Sequence, residues 1–247
     1  MALFYSEPPA TLAGVFTTNQ VKAATVRLDA ERVAKVGVAR GIVVNSGQAN
    51  ACTGKQGLRD ARAMAAHAAK QFDVPANQFL VCSTGRIGVP LRMDIILPGI
   101  EKLAKAVSPQ GGEQAARGIL TTDTRPKRFT TTFTVNGQVC RLTGIAKGAG
   151  MIQPNMATML AFLLTDARVE RGALQQSLRA AVAQSFNRIT VDGDQSTNDT
   201  ALLLANGSAG HSLLKPGHPD WAAWVAALEG VTFRLAMEMV RDGEGAQ

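Results

Sequence analysis

The Asn136-Gly137 pair constrains this chain more than any other dipeptide in it. It separates Phe129-Thr-Thr-Thr-Phe-Thr-Val135 from Gln138-Val-Cys-Arg-Leu-Thr143, two runs of alternating β-prone residues. A two-residue type I′ turn needs positive φ at both central positions, and Asn-Gly is the pair that tolerates this best, so the spacing predicts an antiparallel hairpin. Other strands are found on either side of it. Ala13-Gly-Val-Phe-Thr-Thr18, Gly41-Ile-Val-Val-Asn-Ser46, Gln78-Phe-Leu-Val-Cys82 and Ala201-Leu-Leu-Leu-Ala205 read as strands. Met159-Leu-Ala-Phe-Leu-Leu164 is an apolar run of six that reads as a buried strand, although periodicity alone does not separate it from a helix.

Between these runs the helical period recurs. Leu58, Ala61, Ala65, Ala68, Ala69 and Phe72 share one face, and Leu174, Leu178, Ala181, Val182 and Phe186 share another. Further helices are expected from near Pro98 to Ala106, because proline starts a helix more readily than it continues one, over residues 112–120, and as two separate elements at 221–228 and 231–240. Mixed strands and helices define an α/β (α+β layered) chain. At 247 residues, 46% hydrophobic and 18% charged, it can bury a sizeable core as one large or two small domains.

Composition excludes several function classes. The net charge of +7 suits anionic partners, but the basic residues are scattered with no block of five or more. One Tyr and nine Phe leave no aromatic-rich basic patch, so nucleic acid is not an expected partner and a carboxylate-bearing metabolite fits better. No run approaches the length of a membrane span, and the first ten residues lack the basic and apolar regions of a secretory signal. Cys52, Cys82 and Cys140 are odd in number and widely spaced, which indicates buried reduced thiols rather than disulfides or a zinc site. His67 has no second His or carboxylate at ligand spacing and reads as a surface or satisfied histidine. The acidic segment 190–200 lacks the Glu that closes an EF-hand loop. The expectation is a cytoplasmic enzyme of small-molecule metabolism with no metal and no cofactor.

Two stretches carry the chemistry. In Gly144-Ile-Ala-Lys-Gly-Ala-Gly-Met-Ile-Gln-Pro-Asn-Met-Ala-Thr-Met-Leu160, Gly148 and Gly150 permit close approach of another group to the backbone. Thr158 stands where this loop enters the apolar run. In Ser83-Thr-Gly-Arg-Ile-Gly88, a strand ending in a Thr-Gly turn would set a hydroxyl beside a backbone N–H, the donor pair that an anionic intermediate needs. On spacing alone, the first stretch is better read as a turn leading into a strand with Thr158 an ordinary strand residue, and the second as a plain turn.

Several motifs together resemble the ornithine acetyltransferases of cyclic arginine biosynthesis, which share a fold with self-processing N-terminal-nucleophile hydrolases. The resemblance lies in residues 144–160 together with Gly14-Val-Phe-Thr-Thr18, Val44-Asn-Ser-Gly-Gln-Ala-Asn-Ala-Cys-Thr-Gly54, Ser83-Thr-Gly-Arg-Ile-Gly88, Thr121-Thr-Asp-Thr124, Phe186-Asn-Arg-Ile-Thr-Val-Asp-Gly-Asp-Gln-Ser-Thr-Asn-Asp-Thr200 and Arg241-Asp-Gly-Glu-Gly-Ala246. It implies β-sheets sandwiched between helices and self-cleavage between Ala157 and Thr158, giving an N-terminal piece, 1–157, and a C-terminal piece, 158–247. By the same resemblance Thr158 is the nucleophile, Thr84 and Gly85 form the oxyanion hole, and Thr121, Lys147, Thr158 and Glu244 bind substrate. The implied reaction moves acetyl from N-acetylornithine to glutamate through an acyl-threonine, with acetyl-CoA a possible further donor, in a heterotetramer of two copies of each piece. The family pattern continues beyond Asp242-Gly-Glu-Gly-Ala246, so the expectation is an incomplete C-terminal region. A catalytically weak remnant, and an aminopeptidase or amidase of the same fold, are the competing readings.

Overall fold

A computed structural model describes residues 1–153 and 159–245. Among these, seven strands form one sheet in the order β3-β2-β1-β7-β6-β5-β4. The strands are β1 (Ala2–Phe16), β2 (Val38–Gln48), β3 (Phe79–Arg86), β4 (Lys127–Val135), β5 (Gln138–Lys147), β6 (Leu160–Thr165) and β7 (Thr200–Ala205). The helices are α1 (Ala24–Lys35), α2 (Gly54–Lys70), α3 (Met93–Ala106), α4 (Gly112–Gly118), α5 (Arg171–Gln184) and α6 (Trp221–Arg241). The β2–β3 and β6–β7 pairs are parallel and the others antiparallel.

The predicted hairpin is β4–β5, with Asn136 at φ 49° and Gly137 at φ 77°, the positive pair a type I′ turn demands. Strand β1 joins the two halves of the sheet. Its first part pairs with β2 and its last part, from Thr11, pairs with β7. The β2 register shifts between Tyr5 and Ala10, where Pro8 and Pro9 have no N–H to give to a ladder. Strands from before residue 154 and after residue 158 interleave, since β6 pairs with β5 and β7 with β1.

Side chains alternate between two apolar layers, as the period of two requires. Phe79, Val81 and Val43 meet Met64 and Ala65 of α2 and Ile96 and Ile100 of α3. Ala161, Leu163, Ala201 and Leu203 meet Leu174 and Leu178 of α5 and Val231 and Leu235 of α6. Their neighbours Ile42, Val44, Leu80, Phe162, Leu202 and Leu204 enter a second layer that includes Ala116 of α4 and the adjacent Ile119. Helices therefore lie on both sides of the sheet, the layered α/β arrangement expected. No helix of the described residues is long and apolar enough to cross a membrane.

Several local expectations are corrected. Helix α3 begins at Met93 rather than near Pro98, which sits inside it. Pro98 is exposed, and burial of Ile96 and Ile100 outweighs the lost backbone bond. The two C-terminal helices are one, α6, running through Gly230. Glycine within a helix costs about 1 kcal/mol, and burial of Trp224, Leu228, Val231, Leu235 and Met239 exceeds that. Strand β1 starts eleven residues before the predicted Ala13 because it pairs with β2 as well as β7. Thr84 and Gly85 are not in a turn but within β3, paired with Ser46 and Gly47. Cys82 and Cys140 are buried thiols, whereas Cys52 is exposed, in a loop where its φ is 57°.

Candidate active site

The ends of β1, β2, β3 and β5 and the starts of β6 and β7 meet at one end of the sheet. Register places Thr84 beside Ser46, Lys147 beside Leu160, Leu160 beside Thr200, and Thr200 beside Phe16. A cavity of about 840 Å³ opens there, lined by Thr84, Gly85, Thr121, Lys147 and Glu244 together with Ser46, Gly47, Gly150, Asp192 and residues 196–198. Five of the residues singled out in the sequence thus surround one space, although they come from four separate segments. Ala157 and Thr158, the expected cleavage pair and nucleophile, lie outside the described residues. The next residue, Met159, is buried, and its N–H donates to Asp199 Oδ1 at 2.9 Å.

Gly85 has φ 126°, and a Cβ there would lie 2.3 Å from the Gly47 carbonyl carbon. Glycine is what lets β3 stay paired with β2 to its end. Thr84 is 4% exposed, and its Oγ1 accepts from Lys147 Nζ at 3.4 Å. A hydroxyl that accepts from an ammonium keeps its own hydrogen to donate elsewhere.

Lys147 is 3% exposed. Burial pulls its ammonium below the usual lysine range, with Asp123, 4.0 Å away, the largest opposing influence. Asp123 accepts the Gly148 N–H at 2.7 Å, the Thr121 N–H at 3.3 Å and Lys127 Nζ at 2.7 Å. Its burial pushes the carboxyl up, but Lys147, Lys127 and the Gly148 N–H more than offset this and hold it below the ordinary value. Lys127 also donates to Asp242, which accepts the Thr124 N–H at 3.1 Å and the Thr124 hydroxyl.

Two residues beyond Asp242, the Glu244 N–H donates to the Ala149 carbonyl at 2.7 Å. A Cβ on Gly150 would lie 2.7 Å from the Glu244 carboxylate. Gly150 thus admits this side chain to the cavity, as the glycine pattern suggested, by close approach rather than by positive φ. The loop 151–152 is held by Asp192, which accepts both its N–H groups.

Sequence reasoning missed Asp123, Lys127, Asp199 and Asp242 as parts of this centre, and gave Asn198 no role. All but Lys127 lie inside quoted motifs, which was the available signal. Lys127 begins an edge strand and carries none. His67, assigned no chemistry, bonds Glu101 at 3.0 Å away from the cavity. No group of three His, Cys, Asp or Glu residues that could hold a metal occurs among the described residues.

The architecture is that of a layered α/β protein with a polar, charge-lined cavity at its strand ends. The chain belongs to the ArgJ family, which matches residues 1–247. It is 51% identical over 246 residues to the arginine biosynthesis bifunctional protein ArgJ of Caldanaerobacter subterraneus subsp. tengcongensis, covering 100% of this chain and 61% of that relative. It therefore spans about three-fifths of the length of the relatives it matches. Among solved structures it is similar to the ArgJ protein of Bacillus halodurans, with TM-score 0.57 and 42% identity over 63% of this chain and 81% of that one. The ornithine acetyltransferase of Mycobacterium tuberculosis, solved in complex with ornithine, gives TM-score 0.53 and 35% identity over 62% of this chain and 81% of that one.

Proposed function

We propose that this chain carries the acyl-transfer site of an ornithine acetyltransferase, moving acetyl from N-acetylornithine to glutamate in arginine biosynthesis, in the cytoplasm. The observation that carries the reading is the gathering of Thr84, Gly85, Thr121, Lys147 and Glu244 around one cavity at the strand ends where β6 begins. Family membership and the likeness to a structure solved with ornithine support it.

In this reading the Thr158 Oγ attacks the Ala157 carbonyl, its proton passes to the departing nitrogen, and water hydrolyses the resulting ester. The pieces are 1–157 and 158–247, and Thr158 gains a free α-amine. With an ordinary pKa of roughly 7.7–8.0, that amine is partly unprotonated near neutrality and accepts the proton of its own hydroxyl. The hydroxyl oxygen then attacks the acetyl carbonyl, and ornithine leaves with the proton. Glutamate, through its unprotonated amine, takes the acetyl group and restores the threonine. Thr84 Oγ–H and the Gly85 N–H stabilise each oxyanion. Lys147, a buried point charge, receives a substrate carboxylate, Glu244 an ammonium, and Thr121 a further polar group. Acetyl-CoA serves as an alternative donor without any resident cofactor, and the cleaved pieces assemble as two copies of each.

Denaturing mass spectrometry of the 247-residue protein tests the reading. Wild type should yield masses for 1–157 and 158–247, Thr158→Ala should stay intact, and Thr84→Ala should slow cleavage by about 100-fold with its fold unchanged. A folded wild type that stays in one piece on prolonged incubation would overturn self-processing. An unchanged rate in Thr84→Ala would remove that hydroxyl from the oxyanion hole. Acetylornithine-dependent acetylation of glutamate then tests the transfer itself.

A further inference from the structure

Asn198 and Asp199 are consecutive, 5% and 0% exposed, and have no part in the reaction as set out above. The Asn198 amide uses both its hydrogens on backbone. Its Nδ2 donates to the Ala49 carbonyl at 2.6 Å and the Ser83 carbonyl at 2.8 Å, while Oδ1 accepts from Thr197 Oγ1. Ala49 follows the end of β2, and Ser83 precedes Thr84 and Gly85 in β3. One side chain thus staples the two strand ends that border the cavity.

Asp199 grips the chain on the other side. Its Oδ1 accepts the Met159 N–H at 2.9 Å, and its backbone carbonyl accepts the Thr17 N–H at 2.9 Å. The neighbouring Thr200 N–H donates to the Met159 carbonyl at 3.1 Å. Met159 is therefore held through both its N–H and its C=O. The second carboxyl oxygen, Oδ2, is buried and has no hydrogen-bond partner among the described residues. An unpartnered buried carboxylate oxygen is costly if the group is charged. Burial indeed pushes the Asp199 carboxyl well above its ordinary range, against the opposing pull of the Met159 N–H, the Lys147 charge and, least, the nearby Ser196 hydroxyl.

We propose that Asn198-Asp199 is the positioning pair of the acyl-transfer site. Asn198 fixes the strand end bearing Thr84 and Gly85, and Asp199 fixes the backbone of Met159, the residue next to Thr158. Because the two are adjacent in one stretch entering β7, they set the spacing between the oxyanion donors and the nucleophile's chain. This rests on the reading of Thr158 as nucleophile and of Thr84 and Gly85 as oxyanion donors. Asp199 works here through the hydrogen bond its Oδ1 accepts from the Met159 N–H, which an amide oxygen can also accept, so asparagine should replace it.

The test compares Asn198→Asp, Asn198→Ser, Asp199→Asn and Asp199→Ala in the full 247-residue protein. Asparagine to aspartate keeps the shape but removes both donors, and serine keeps one. Displacement of reacting groups by about 1 Å costs up to about 100-fold in rate. Release of the 158–247 piece should therefore slow by about 10- to 100-fold in Asn198→Asp and Asp199→Ala and less in Asn198→Ser. In Asp199→Asn it should stay within about threefold of wild type, since the acceptor remains.

Amide hydrogen exchange provides a second readout that needs no cleavage. Exchange should quicken over residues 79–86 in the Asn198 variants and over 159–165 in Asp199→Ala, with α5 unchanged. If Asn198→Asp does not fold, Asn198→Ser carries the comparison. Wild-type rates in the Asn198 variants, or an Asp199→Asn rate as slow as Asp199→Ala, would overturn the proposal. If wild type itself does not cleave, the reading of Thr158 fails while the exchange pattern still decides the positioning. Exchange unchanged in both segments would then refute it.

Discussion

Lys127→Met should be among the most damaging single substitutions in this protein, because it removes the centre of a buried charge cluster and keeps the volume. The side chains of Lys127 and Asp123 are 0% exposed and that of Asp242 is 2% exposed. Lys127 bonds both carboxylates, tying the 121–124 loop and the start of β4 to the C-terminal end of α6. Removing one member of a buried ion pair costs about 3–5 kcal/mol, since the partner charge stays behind. Asp123 keeps Lys147 and two N–H donors, and Asp242 keeps the two donors of Thr124, which places the expected loss at the lower end, about 3 kcal/mol.

The pH dependence makes that prediction specific. Both carboxyls are held below their ordinary values in the folded protein. Their contribution is therefore complete above the unfolded value of about 3.9 and is lost only as pH falls through the lower folded values. Without Lys127 both carboxyls move up. The deficit of the variant should be greatest where the carboxyls are ionised, as at pH 7.5, and should shrink only as the pH falls through the variant's own carboxyl values toward the lower wild-type ones. Urea unfolding of wild type and variant at pH 7.5, 5 and 3.5 measures it. A deficit below about 1 kcal/mol at pH 7.5, or one that does not shrink on acidification, would refute the reasoning.

Two further outcomes follow from buried groups elsewhere. Asp29 on α1 is 1% exposed, accepts the Val81 N–H at 3.1 Å, and is pushed by burial to about 8. The folded state holds that proton more tightly, so its contribution is present at acidic pH and falls as pH rises from about 4 to about 8. Asp29→Asn keeps an acceptor and removes this slope, so the stability gap between wild type and variant should change by at most about 4 kcal/mol between pH 5 and 8; a constant gap refutes it. Gly85→Ala and Gly150→Ala should differ in kind. The first drives a Cβ into Gly47 backbone and should lower the thermal midpoint, whereas the second meets only the movable Glu244 carboxylate and should leave the midpoint unchanged while shifting that side chain in a crystal structure.

The sequence made the sheet legible where one local rule decided the outcome. Asn136-Gly137 has a single favourable hairpin geometry, and runs such as 159–164 and 201–205 can only be buried. Errors arose where a local rule met tertiary burial. Pro98 and Gly230 disfavour helix interiors, yet α3 and α6 pass through them because Ile96, Ile100, Val231 and Leu235 gain more from packing. The site was legible as a set of motifs, since residues quoted from four segments line one cavity. The pairing of Lys127 with Asp123 and Asp242 was not, because a bond spanning 115 residues leaves no local pattern.

That hidden pairing bears directly on the cavity's charge. Lys127 and Lys147 compete for Asp123, and Lys127 has the short contact, 2.7 Å against 4.0 Å. Asp242 gives Lys127 a second partner, so the two carboxylates satisfy one lysine. Lys147 is left with a long contact to Asp123 and a 3.4 Å hydrogen bond to the neutral Thr84 hydroxyl. The charges of Asp199 and Glu244 also favour the Lys147 ammonium, each less than that of Asp123. An ammonium buried yet incompletely paired is costly for the fold alone. In the proposed acyl-transfer reading, this is the charge that receives a substrate carboxylate beside Thr84. Without Lys127, Asp123 would be free to close onto Lys147 and cancel that charge. The cluster therefore treats its two lysines differently: Lys127 ties the 121–124 loop and β4 to the end of α6, and Lys147 keeps the longer contact on which its proposed substrate role depends.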